Sequence, residues 1–303
     1  MRGATNDPTP WPPELPAGEN PSPGAVIDYY VGSAVHDTVA IEIVSASGKV
    51  VRRYSSADRV LDPDPARDPE AYDRVCQQNP KAPDCNLPLY WAAPTVALST
   101  KPGMHRMTWD LRYDPIADER ENLAEDESGN GAVPHRTFPA MDAPWAPPGS
   151  YTVRLIGMGR HMEQPLTLRL DPRVTTPTAG LAQLATLSKE MYDDAVVART
   201  AYVQARALSA HLGGALAEEV EKLAPAKAEA DASNPRDASG ATRAPTLRSA
   251  GNDLISAAMA MQGADLAPTA NQIAACARAR GEFRAVLARW RALEEKARTA
   301  NGN

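Results

Sequence analysis

Gly103-Met104-His105-Arg106-Met107-Thr108-Trp109-Asp110-Leu111-Arg112-Tyr113-Asp114 is the stretch on which the fold turns. Its side chains alternate. His105, Met107, Trp109 and Leu111 point one way, and Arg106, Thr108, Asp110 and Arg112 point the other. Strict alternation over this length is the pattern of a half-buried strand. Trp109 is its largest apolar side chain, so it marks the centre of a sheet core. His105 and Trp109 fall on the core face and Asp110 on the opposite face, so the three do not converge as a site.

The same period of two recurs on both sides. Ala25–Val31 reads as a strand. Thr38–Ser45 reads as another, with Val39, Ile41 and Ile43 on one face and Glu42 on the other. The turn Ala46-Ser47-Gly48-Lys49 returns the chain through Val50–Tyr54. Trp91–Leu98 is a further strand candidate. Ser150–Gly157 and Glu163–Asp171 follow, joined by the tight turn Gly157-Met158-Gly159-Arg160. Between them lie two excursions, a polar and Pro-rich one over 56–88 and an acidic one over 114–145. About seven short strands with turn signals between them predict an antiparallel β-sandwich of immunoglobulin type over residues 25–175, preceded by a Pro-rich linker over 1–24.

Beyond Asp171-Pro172-Arg173-Val174 the composition changes. Proline thins out, Ala, Leu, Glu and Arg dominate, and the period becomes 3.6. Thr176-Pro177 predicts an N-cap and a first helical position. Leu181, Leu184, Leu187, Met191, Ala195, Ala198, Tyr202, Ala205, Leu208 and Leu212 then make one apolar stripe over more than thirty residues. Gly213-Gly214 interrupts it. Leu216, Val220 and Leu223 continue in a shorter helix, and a loop is expected over 225–245. Leu247, Leu254, Ala258 and Met261 mark a third helix. Thr269 with Gln272 gives a capping box for a last long helix, with Ile273, Ala277, Phe283, Val286, Trp290, Leu293 and Ala297 inward. Single stripes need partners, so residues 176–303 are expected to pack as an antiparallel helical bundle of three to four helices. The fold class expected for the whole chain is α+β.

A net charge of −6 with no basic stripe argues against nucleic acid as a partner. No apolar run is long enough to span a bilayer, so no membrane span is expected. Met1–Pro8 carries no apolar signal core. Cys76 and Cys85 bracket a short loop; a bond between them would contribute about 2.5–3 kcal/mol in the chain-entropy model and would imply an oxidising compartment. Two free thiols are the other reading. Cys276 sits in a helical pattern as a small buried residue.

No motif for chemistry is present. His36, His105, His135, His161 and His211 lie in no recognisable constellation, and there is no nucleophile elbow, zinc-protease, P-loop or dinucleotide pattern. No catalytic residue, cofactor or metal is therefore expected. Asp118, Glu119, Glu121, Glu125, Asp126 and Glu127 read as a solvated acidic run, with calcium as the sharper alternative, although Asp126–Asn130 does not follow the EF-hand spacing. Trp11, Tyr72, Tyr90, Trp91 and Trp145 flank Pro-rich segments. They read as aromatics of an interdomain interface or, alternatively, as a glycan platform.

Thr9–Pro21 followed by Gly24–Tyr30 resembles the passage leaving a β-propeller in large bacterial BNR-repeat proteins, described as sortilin-like or glycosyl-hydrolase-like. Gly103–Tyr113, Pro147–Leu155 and Leu170–Val174 are similar to the Ig-like domain that follows in that family. The Gly…Trp-Asp…Pro-Gly-Ser-Tyr-Thr layout also resembles the Ig-like domain of the flagellar hook-capping protein. Gly263–Thr269 and Arg289–Leu293 are similar to the family's C-terminal helical tail. The resemblance implies a non-catalytic accessory region of an exported, periplasmic or extracellular protein, partnered by an N-terminal β-propeller in cis or by another subunit. Its alternatives are part of a sialidase-like glycoside hydrolase and a carbohydrate-binding module. The Ser-x-Asp-x-Gly-x-Thr-Trp repeats of the propeller do not occur in this sequence, so the resemblance carries over no catalytic residue.

Overall fold

Among the described residues, the period-two segments of the first half form six strands and the period-3.6 segments of the second half form four helices. A computed structural model describes residues 24–32, 35, 37–58, 97–116, 143–226 and 244–301, with single positions at 70, 74 and 77. The strands are β1 (Ala25–Val31), β2 (Ala40–Ser45), β3 (Val50–Ser55), β4 (Gly103–Trp109), β5 (Gly149–Gly157) and β6 (Arg160–Leu168). The helices are α1 (Thr178–Ser209), α2 (Gly214–Leu223), α3 (Leu247–Ala260) and α4 (Ala270–Asn301). Two antiparallel sheets and a separate run of helices make this an α+β protein. The chain divides into two compact units, one of Met1–Met141 and Trp145–Val174 and the other of Asp142–Pro144 and Thr175–Asn303.

In the first unit β1 pairs with β4, and a second sheet has the order β3-β2-β5-β6. Tyr29, Val31, Met107 and Trp109 from the first sheet and Ile41, Ile43, Tyr54 and Tyr151 from the second belong to one buried cluster. Trp109, fully buried, meets Tyr151 edge-on at 5.6 Å between ring centres. The register shifts between Ile43 and Val44, where Ile43 faces Arg52 and Val44 faces Val50. Val51 is thus the extra residue of a bulge, and it is buried in the core. The opposite face carries a ladder of alternating sign across all four strands. Arg53 lies 3.9 Å from Glu42, Glu42 lies 3.3 Å from Arg154, and Arg154 donates to Glu163 at 2.8 Å. Met158 and Gly159, both at positive φ, form the two-residue turn between β5 and β6. Counting from that turn, Pro165 stands opposite Thr152 in a pair that exchanges no ladder hydrogen bonds. Its nitrogen therefore faces away from β5, on the edge that no other strand among the described residues pairs.

The structure corrects the expected strands in places. β2 begins at Ala40 rather than Thr38, and β6 runs from Arg160 to Leu168 rather than from Glu163 to Asp171. β4 ends at Trp109, because Leu111 takes a left-handed φ of 61° and turns the chain. Arg112 is consequently buried instead of pointing outward. Of the Trp91–Leu98 candidate, Ala97 and Leu98 are described and carry no strand, and 91–96 lie outside the described residues.

In the second unit α1 packs on α2, α3 and α4, and α4 packs on α2 and α3. The buried side chains of α1 include Leu184, Ser188, Met191, Ala195, Ala198, Tyr202 and Ala205, spaced alternately by four and three. Those of α4 are Cys276, Ala279, Phe283, Val286, Trp290, Leu293 and Ala297, spaced the same way. A strict seven-residue repeat is the seam of coiled-coil-like packing. Ile273 and Ala277, expected inward, are exposed; Cys276 is buried as expected, and Ala279 is buried beside it. Helices α1 and α3 approach closely at Gly251, where an added Cβ would stand 3.3 Å from the Ala198 Cβ. Arg280 of α4 donates to Asp194 at 2.9 Å and to Glu190 at 2.7 Å on α1.

The helix ends are capped partly as expected. The Thr269–Gln272 capping box is present, with Thr269 N donating to Gln272 Oε1 at 2.9 Å. Thr176 does not cap α1. Its hydroxyl donates instead to the Asp265 carbonyl at 2.5 Å, and Pro177 occupies the N-cap. A second capping box, Thr246 with Ser249, opens α3. No helix among the described residues is long and apolar enough to cross a membrane.

Candidate functional site

A grouping of aromatic and ionisable side chains lies where β4 ends. The turn after Trp109 is built by its own side chains. The Trp109 indole N–H donates to the Arg112 carbonyl at 2.9 Å, and the Arg112 amide donates to Asp110 Oδ1 at 3.1 Å. Arg112 then forms an isolated bridge with Trp145, and its guanidinium lies 3.8 Å from the centre of the Trp145 ring. The Ala146 amide donates to the Leu111 carbonyl at 2.8 Å. These contacts form a clasp that holds together the two ends of the acidic excursion.

Next to the clasp, Arg52 enters on the core face of β3. Its guanidinium lies 4.9 Å from the Tyr54 ring centre, and its Nη1 donates to the Tyr113 carbonyl at 3.2 Å. Asp110 and Asp114 stand 3.9 and 3.8 Å from it. Asp114 Oδ1 accepts from the Arg53 amide at 3.0 Å, and its own amide donates to the Val51 carbonyl at 3.1 Å. Asp114 thus fastens the chain along the edge of β3.

The electrostatics follow from burial. Desolvation pushes the Tyr54 phenol up to about 12 against the pull of Arg52. The Tyr151 phenol, which donates to the Pro147 carbonyl at 2.6 Å, is likewise pushed up to about 12 by burial. Burial also raises Asp114 above the ordinary carboxylate range, partly offset by the Arg53 amide and by Arg52. A phenol that holds its proton this firmly is a poor general base or nucleophile at neutral pH. The Arg52 and Arg112 cations are turned onto rings and backbone carbonyls. The chemistry open to this arrangement is fastening: arginine on aromatic rings, carboxylate on backbone amide, indole on carbonyl.

Elsewhere in the first unit, a shallow hollow of about 340 Å³ at the β5–β6 turn is lined by Arg154, Ile156, Gly159, Arg160 and His161. Arg154 is already engaged there by Glu42 and Glu163. His105 is engaged too. Its Nε2 donates to the Lys101 carbonyl at 2.6 Å, and its ring stands 5.2 Å from that of Tyr29. Among the described residues no three His, Cys, Asp or Glu side chains group as a metal-ligand set.

Of the aromatics singled out in the sequence, Trp145 is therefore in the clasp, with the Arg112 guanidinium against its ring. Trp11, Tyr72, Tyr90 and Trp91 lie outside the described residues, as do Cys76, Cys85, His36, His135 and the acidic run 118–127. Cys276 is buried and free, with its thiol raised by desolvation. Sequence reasoning missed Arg52 and Tyr54. The bulge that sets the register around Arg52 has no glycine or other local mark to announce it. No family model, curated protein or solved structure matches this chain.

Proposed function

We propose that this chain is a non-catalytic interaction region, an immunoglobulin-like β-sandwich followed by a helical bundle, which docks on or spaces out a β-propeller within an exported protein. The observation that carries the reading is the clasp at the end of β4. There the residues best equipped for chemistry, Arg52, Asp110, Arg112 and Asp114, are spent on fastening Trp109, Trp145 and the β3 edge. The two compact units support it as well, since a spacer is built from modules that each carry a core. The resemblance of Gly103–Tyr113 and Pro147–Leu155 to the Ig-like domain of BNR-repeat proteins supplies the propeller as the partner in cis.

The test has two arms. The full chain should unfold thermally in two separate transitions, one followed by tryptophan fluorescence and one by far-ultraviolet circular dichroism. A single transition shared by both probes overturns the modular reading. The full chain, screened against fluorogenic glycosides, should give no turnover. Turnover abolished by Asp126→Asn with Glu127→Gln overturns the non-catalytic reading in favour of a glycoside hydrolase.

A further inference from the structure

We draw no further inference here: the strongest candidate, the outward strip of α1 formed by Val196, Thr200, Val203 and Ala207, is an uncharged and unpartnered helix face, and nothing in the structure shows what covers it.

Discussion

Replacing Trp109 with Phe isolates the hydrogen bond on which the β4 turn depends. The substitution keeps an aromatic ring in a fully buried place but removes the indole N–H that reaches the Arg112 carbonyl at 2.9 Å. A buried acceptor that loses its donor costs about 1–3 kcal/mol. The smaller ring also gives up roughly two carbons' worth of burial, about 1.5 kcal/mol at ~0.8 kcal/mol per methylene. The expected loss is therefore about 3–4 kcal/mol, at the upper end of what single core substitutions do. Urea unfolding reads it through two probes. Four of the five tryptophans precede residue 175, so fluorescence weights the first unit, whereas far-ultraviolet circular dichroism weights the helices. With a denaturant slope of about 2 kcal/mol per molar, the fluorescence midpoint should fall by about 1.5–2 M. The dichroism midpoint should stay where it is. A fluorescence shift of about 0.8 M or less, which the lost ring carbons alone would give, would refute the role given to the indole hydrogen bond. Equal shifts in both probes would refute the independence of the two units.

Three further outcomes are expected. Gly251→Val adds a branched side chain where even a Cβ stands 3.3 Å from Ala198, so it should destabilise the helical unit by about 1–3 kcal/mol in thermal unfolding, and a neutral result would mean that α1 and α3 are not packed this closely. Tyr54 and Tyr151 have phenols raised in the folded state to about 12, above an unfolded value of about 10; the stability they contribute is whole below pH about 10 and is lost as pH rises toward about 12. Phenolate absorbance should accordingly show at least two of the nine tyrosines ionising late, and nine that titrate alike near pH 10 would contradict it. A Cys76–Cys85 bond leaves a single reactive thiol in denaturant without reductant, that of Cys276; three thiols would exclude the bond.

Periodicity made most of the strands legible. Val39, Ile41 and Ile43, and Tyr151, Val153 and Leu155, lie on the core side because a pleated strand leaves them no other choice. The same rule misread Arg112. The alternation runs on through Asp110 and Leu111, but a single left-handed residue turned the backbone, and no glycine marks the place. In α4 the sequence pattern reads Ile273 and Ala277 as inward along with Cys276. The seven-residue spacing set downstream by Phe283, Val286 and Trp290 decided the phase instead. The Thr269–Gln272 capping box was readable from its spacing. Thr246–Ser249 was not, because serine is outside the usual Glu or Gln third position. Arg52 was out of reach for a different reason: its place depends on which strands meet, and that is decided by contacts far apart in the chain.

Pro165 has a consequence for the protein at high concentration. An exposed strand edge is a template on which a second chain can grow, and β6 is nine residues long and exposed along most of its length. The amides that face outward there belong to alternate residues, and Pro165 removes one from the middle of the row. An incoming strand would find the row of donors broken there and, beside the gap, the carboxylate of Glu163. Resistance of the folded chain to edge-to-edge pairing thus rests in part on a residue that contributes nothing to the core.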